Sequence, residues 1–89
     1  MAYCAGAVDH ASMSEEAARF QKRLGEALAG ARAKARMTQE YVAYNAGVSV
    51  RHLSDLERGL KSPNVRTLRR IAHVLGTKAH ALLRAAEGR

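Results

Sequence analysis

The chain has 89 residues, of which 47% are hydrophobic and only 4% aromatic, so it can form one domain with a modest core but not two. Because it contains no tryptophan, the core has to be built from Leu, Val, Ile and Ala, which in a chain this short favours packed helices over a sandwich of strands. The formal net charge of +7 indicates a polyanionic partner, either nucleic acid or an anionic membrane surface, unless the basic surface serves only solubility.

The positive charge is not spread evenly along the chain. From Met1 to Glu57, seven basic residues balance seven acidic ones, whereas the segment from Arg58 to Arg84 holds seven basic residues and no acidic one. The last third of the chain therefore carries the whole excess of positive charge.

Membrane and secreted proteins are both disfavoured by the composition. No apolar run approaches the length of about 18 to 20 residues that a membrane-spanning helix needs. The opening MAYCAGAV lacks a basic leader and is interrupted by Asp9, so we expect no secretion signal. The single Cys4 cannot form an intramolecular disulfide, which fits a cytoplasmic protein.

A long first helix is predicted in the N-terminal third. Ser12 and Ser14 are both candidate N-caps, and Glu15 is placed to complete a capping box with Ser12. The helix continues to near Arg36, where basic residues suit the negative end of its dipole. Its apolar stripe recurs every three or four positions, at Ala17, Phe20, Leu24, Ala27, Leu28, Ala31 and Ala35.

Two short helices separated by a sharp turn are predicted between residues 38 and 59. Thr38 and Ser49 are good N-cap residues, and Gly47 can adopt the left-handed conformation that ends a helix. The first of these helices therefore covers residues 39–46, and the second begins directly after Ser49. Three leucines of the second helix share the face that we expect to be buried: Leu53, Leu56 and Leu60. Its opposite face is polar from the N-terminus onward, as a helix that enters a DNA major groove requires.

Two further helices complete the predicted domain. Asn64 is the expected N-cap of the fourth helix and Gly76 its expected end, while Thr77 is the expected N-cap of the last one. The apolar residues of these two helices are Val65, Leu68, Ile71, Ala72, Leu75, Ala79, Leu82, Leu83 and Ala86.

The chain is therefore predicted to be all-α, with one folded domain. We expect residues 1–13 to be a disordered or loosely ordered arm, residues 14–86 to form the domain and residues 87–89 to be a tail. The two short helices and their turn form a helix-turn-helix unit over about residues 38–58.

A specific motif lies at this spacing, TQxxxAxxxGVS followed by LxxLERG, between Thr38 and Gly59. Together with Pro63, Leu68, Ile71-Ala72 and Leu75-Gly76, it resembles the helix-turn-helix domains of the phage repressor family, also called the XRE or Cro/C1 type. The resemblance covers roughly residues 24–83. It implies a compact five-helix lambda-repressor-like domain, here with an extended N-terminal helix, in which the second and third helices read DNA.

The resemblance also implies that Arg32 on the first helix pairs with Glu57 at the end of the third. Glu57 lies between leucines on a face that we expect to be buried, and a buried carboxylate needs a partner. We therefore interpret this pair as a structural salt bridge.

The residues predicted to bind DNA belong to the helix starts and to the third helix. Helix N-termini present free N–H groups and a partial positive charge, so the starts at Thr38 and Asn64 are natural phosphate anchors. Arg51 can form a bidentate pair with O6 and N7 of guanine, a contact worth about 1–3 kcal/mol of discrimination. Asp55, four residues later, can either hold the Arg51 guanidinium or accept from a cytosine amino group. The full set is Thr38, Gln39, Ser49, Val50, Arg51, His52, Ser54, Asp55, Arg58, Lys61, Asn64 and Arg66.

Two alternatives stay open within this set and beside it. Gln39 matches the family's glutamine that touches a phosphate or reaches an adenine edge, but it can also be a solvated first residue of its helix. Arg69 and Arg70 either raise affinity through phosphate charge or are solvated, because one helix cannot aim every side chain at one duplex.

The function implied by the resemblance is that of a sequence-specific, double-stranded DNA-binding transcriptional regulator, most often a repressor or autoregulator. Such proteins usually bind a two-fold symmetric operator through the major groove as a homodimer. The last helix offers the candidate dimer interface, at Ala79, Leu82 and Leu83, and the first helix around Phe20 is the second choice. The rival hypothesis is an antitoxin or adaptor whose main role is to bind a protein partner.

An enzyme is not expected. Cys4 has no neighbouring histidine or carboxylate in the sequence, and the chain contains no glycine-rich phosphate loop. His73 and His80 are seven residues apart and lie on either side of the break at Gly76, which is not a typical spacing of zinc ligands. We expect neither a metal nor another cofactor.

Overall fold

Five α-helices follow one another in the computed structural model, which describes residues 10–88, with side chains from Glu15 onward. They are α1 (His10–Lys34), α2 (Gln39–Ala46), α3 (Val50–Glu57), α4 (Val65–Leu75) and α5 (Ala79–Glu87). The described residues contain no β-strand, so the prediction of an all-α, five-helix fold is confirmed. None of these helices combines the length and the apolar character that crossing a bilayer requires.

The beginning of α1 differs from the prediction. The helix starts at His10, so Ser12 and Ser14 lie inside it, and their assignment as N-caps is wrong. The reason is that no glycine or proline stands between His10 and Ser14, so nothing stops the helix from extending toward the N-terminus. The arm predicted over residues 1–13 stays a prediction for residues 1–9, which lie outside the described residues.

The end of α1 is a tight turn built on Arg36. This residue has a φ of 59°, in the left-handed region that favours glycine. The N–H groups of Arg36 and Met37 donate to the carbonyls of Ala33 and Arg32 at 3.0 and 3.1 Å, the pattern of a Schellman motif. The turn brings the chain directly to the start of α2.

Three of the four predicted N-caps after α1 are confirmed. The side chains of Thr38, Ser49 and Asn64 accept hydrogen bonds from backbone N–H groups in the first turns of α2, α3 and α4, at 3.0, 2.9 and 2.8 Å. Thr77 is not a cap, because its own N–H donates to the carbonyl of Ala72 at 2.9 Å and closes the end of α4. Lys78 therefore precedes α5, and it makes no side-chain capping bond.

All five helices contribute to one core. The buried residues are Leu24, Leu28, Val42, Ala43, Ala46, Leu53, Leu56, Leu68, Ile71, Ala72, Leu75, Leu82 and Ala86. Four residues of the predicted apolar faces are exposed instead: Ala17 and Ala35 at the two ends of the stripe predicted for the first helix, Leu60, which is 57% exposed, and Val65, which is 73% exposed. Leu60 leaves the helical face because α3 ends at Glu57 and the chain turns at Gly59. Val65 is the first residue of α4, and a helical side chain points toward the N-terminus, here past the edge of the core.

The backbones of α1 and α3 approach each other closely at Gly25. A Cβ atom at this position would lie 2.5 Å from the carbonyl oxygen of Leu56 and 2.6 Å from that of Glu57. One turn away, the amide of Gln21 donates to the carbonyl of Gly59 at 2.9 Å. The long helix therefore holds the C-terminal end of α3 in place.

Candidate nucleic-acid interface

An ion pair links the end of α1 to the end of α3. Arg32 donates from Nε to Oε2 of Glu57 at 2.7 Å and from Nη2 to Oε1 at 3.1 Å, and its Nη1 donates to the carbonyl of Met37 at 2.9 Å. The Glu57 side chain is only 6% exposed. The hydrogen bond to Glu57 raises the pKa of Arg32, and the charge of the same carboxylate acts in the same direction. The two residues implied by the resemblance are thus brought together.

The same carboxylate also receives a hydrogen bond from α2. Nε2 of Gln39, the first residue of α2, donates to Oε1 of Glu57 at 2.9 Å. The sequence does not indicate this contact, because the two residues are 18 positions apart and belong to different helices. The start of α2 and the end of α3 are therefore joined through one carboxylate.

The polar face of α3 begins at its N-terminus. Val50 and Arg51 are exposed, whereas His52, Ser54 and Asp55 are half-buried. Leu53 and Leu56 fill the core behind them. Beside this helix, Thr38, Ser49 and Asn64 are exposed at the starts of α2, α3 and α4, where first-turn N–H groups can face an anion.

Of the two roles left open for Asp55, the ion pair with Arg51 is not observed. The carboxylate lies 3.9 Å from Nη1 of Arg58 and 3.7 Å from Nζ of Lys61, while Arg51 forms no ion pair within the described residues. Asp55 therefore pairs with two cations that follow α3. The Arg51 guanidinium remains available to an external acceptor, and Asp55 is 13% exposed, which leaves little of it for a base.

The exposed face of α4 is basic. Arg66, Arg69 and Arg70 are exposed, and together with His73 and Lys78 they border a groove beside α4. Nη1 of Arg70 lies 3.8 Å from the place that a Cβ at Gly47 would occupy, so this arginine reaches the turn between α2 and α3. The sequence leaves open whether Arg70 contributes to DNA binding, and it does not indicate that this side chain lies near the turn at Gly47.

The candidate dimer residues of α5 differ in what they offer to a second chain. Leu82 is only 4% exposed and belongs to the core of a single chain. Ala79 and Leu83 are half-buried, so part of their surface is exposed and could contact a second chain. Phe20 on α1 is half-buried as well.

Comparisons with known proteins agree on one family. The family model described as helix-turn-helix matches residues 28–82. An uncharacterised HTH-type transcriptional regulator of Sinorhizobium fredii, y4dJ, is 41% identical over 57 residues, which are 64% of this chain and 74% of that protein. Two crystal structures of the clp gene regulator ClgR from Corynebacterium glutamicum are 34% identical and match 76% of this chain. Their TM-scores are 0.74 and 0.73, over 72% and 88% of the respective chains.

Proposed function

This chain belongs to the helix-turn-helix family of DNA-binding transcriptional regulators, and we propose that it reads a two-fold symmetric operator through the major groove, with α3 as its recognition helix. One observation carries the proposal: Arg51 is exposed in the first turn of α3 and forms no ion pair within the described residues. An unpaired arginine at this position is suited to donate to O6 and N7 of a guanine.

The neighbours of Arg51 on α3 can supply further base contacts. Val50 is exposed and apolar, so it can pack on a thymine methyl group. Ser54 is half-buried and can bond to a base or a phosphate. His52 lies at the flank of this face, where it can contact a base, the DNA backbone or solvent.

Phosphate contacts surround the recognition helix. The capped starts of α2 and α4, at Thr38 and Asn64, present backbone N–H groups that can donate to phosphates. Arg58, Lys61 and Arg66 add charge on exposed side chains. These contacts raise affinity for any sequence and make binding fall with salt.

We propose a homodimer, because one helix of eight residues reads too few base pairs to define a site. Two recognition helices related by a two-fold axis would fit half-sites about 34 Å apart. A dimer bound in this way blocks other proteins from the same DNA, which favours a repressor or autoregulator. We place its action in the cytoplasm, together with the DNA that it binds.

A protein partner, as for an antitoxin or adaptor, is the second candidate function. It is favoured by two tyrosines on the outer surface of α2: Tyr41 is 53% exposed and Tyr44 is 85% exposed. Tyrosine is enriched among the residues that dominate protein interfaces. A chain that binds random duplex at low salt, and releases it as salt is added, acts on DNA; one that does not would favour this alternative.

The operator can be obtained by selecting bound duplexes from a random library while measuring the mass of the complex. Arg51→Ala should then weaken binding to the selected operator by about 1–3 kcal/mol and relax the preference at one base pair of each half-site. Arg23→Ala is the matched control, because this exposed arginine lies beside Ala86 and Glu87 of α5. Equal losses for the two variants would contradict the assignment of α3 as the recognition helix.

A further inference from the structure

The amide of Gln39 is held in one orientation by Glu57. Its Nε2 lies 2.9 Å from Oε1 of Glu57, and the same carboxylate accepts two hydrogen bonds from Arg32. An ionised carboxylate can only accept hydrogen bonds, so the amide has to turn its nitrogen toward it; the carbonyl oxygen in this place would be repelled. Since Glu57 is almost fully buried, water cannot easily replace Gln39 as the third donor.

This orientation decides which groups Gln39 can present to a ligand. One N–H is used by Glu57, so one N–H and the carbonyl oxygen remain, and the residue is partly exposed at the start of α2. One donor beside one acceptor complements the major-groove edge of adenine, which offers the N6 amino group and N7. Guanine offers two acceptors at the same edge, and a phosphate offers only acceptors, so neither can donate to the carbonyl oxygen of Gln39.

We infer that Glu57 is a positioning residue for sequence recognition: it holds the Gln39 amide so that this side chain distinguishes A·T from G·C at one base pair of each half-site. The inference rests on the proposed function. It gives the carboxylate two roles, because the group that ties α3 to α1 also sets the donor and acceptor pattern at the start of α2.

The substitution Glu57→Gln tests this inference most directly. Glutamine has nearly the same shape as glutamate, but it carries both a donor and an acceptor, so the Gln39 amide can then turn either way. Ile71→Val is the matched stability control, because Ile71 is fully buried and is a core residue of α4 that takes no part in the cluster. Gln39→Ala, alone and combined with Glu57→Gln, completes a double-mutant cycle.

Two measurements separate this inference from the proposed function. In the free protein, the side-chain NH₂ resonances of Gln39 report the hydrogen bond by nuclear magnetic resonance, without any DNA. Fluorescence anisotropy then compares the selected operator with duplexes in which each A·T pair is replaced by G·C, at a temperature where circular dichroism shows every variant to be folded.

We expect the parent and Ile71→Val to prefer A·T by about fivefold or more at one base pair. Glu57→Gln should lose this preference, shift the Gln39 resonances, and have no further effect on the preference in the Gln39→Ala background. The inference is overturned if Glu57→Gln weakens all duplexes equally, or if its effect and that of Gln39→Ala fall on different base pairs. A parent protein that prefers no sequence would overturn the proposed function itself, even with the hydrogen bond present in the free protein.

Discussion

Replacing Gly25 with alanine adds one methyl group where α1 meets the end of α3. Alanine is about 1 kcal/mol more favourable than glycine inside a helix, so at an exposed helical position this substitution would stabilise the protein. At Gly25, however, the new Cβ would lie 2.5 and 2.6 Å from two backbone carbonyl oxygens, which cannot rotate away as a flexible side chain could. The free energy of unfolding therefore rises or falls according to whether the helical gain or the steric cost is larger.

The distances allow the magnitude to be estimated. A carbon normally approaches a carbonyl oxygen no closer than about 3.3 Å, so the two helices would have to separate by roughly 0.7 Å. Overpacking of this kind costs about 1–3 kcal/mol, and the upper end applies because both opposing atoms belong to the backbone. After the helical gain is subtracted, we expect the free energy of unfolding to fall by about 2 kcal/mol, and the melting temperature to fall by about 10 °C.

Gly30 provides the control within the same helix. A Cβ at Gly30 would meet no atom within 4 Å, so Gly30→Ala should raise the free energy of unfolding by up to about 1 kcal/mol. Urea denaturation followed by far-ultraviolet circular dichroism measures both variants against the parent. If Gly25→Ala proved as stable as Gly30→Ala, the close contact between α1 and α3 would not exist in solution.

Three further substitutions test other features of the structure. Arg36→Gly should raise the free energy of unfolding by about 0.5–1 kcal/mol, because glycine adopts the positive φ of this turn without strain, whereas Arg36→Ala should bring no such gain. Lys61→Gln should weaken binding to all duplexes and reduce the slope of log affinity against log salt by about one. Lys34→Gln on α1 is the control and should leave the slope unchanged. If Lys61→Gln also left the slope unchanged, Lys61 would not belong to the interface. Asp55→Asn should strengthen binding to random duplex at low salt, because Arg58 and Lys61 lose the carboxylate with which they pair. If this variant bound the operator more weakly instead, Asp55 would contact a base.

Local chemistry made much of the fold predictable. The caps at Thr38, Ser49 and Asn64 and the turn at Gly47 depend on hydrogen bonds and backbone angles within a few residues, so the sequence around each position is sufficient to indicate them. Thr77 has the residue type of a cap, but its N–H closes the preceding helix and Lys78 precedes the next one.

The candidate site was predictable as a set of exposed polar residues but not as a set of contacts. The position of Arg51 in the first turn of α3 follows from the cap and from the leucines behind it. The partners of Asp55 do not, because Arg51, Arg58 and Lys61 all lie within six residues and only the path of the chain after α3 selects between them.

The sequence by itself determined the number of helices, most of their limits and the family, because these depend on local periodicity, caps and a motif of fixed spacing. Only the tertiary structure decided how the helices act on one another. Gly25 shows no local sign of the backbone that lies against it, and Gln39 and Glu57 meet only because α2 and α3 fold onto the end of α1. Contacts between residues far apart in the chain depend on the relative positions of whole helices, which no short stretch of sequence specifies.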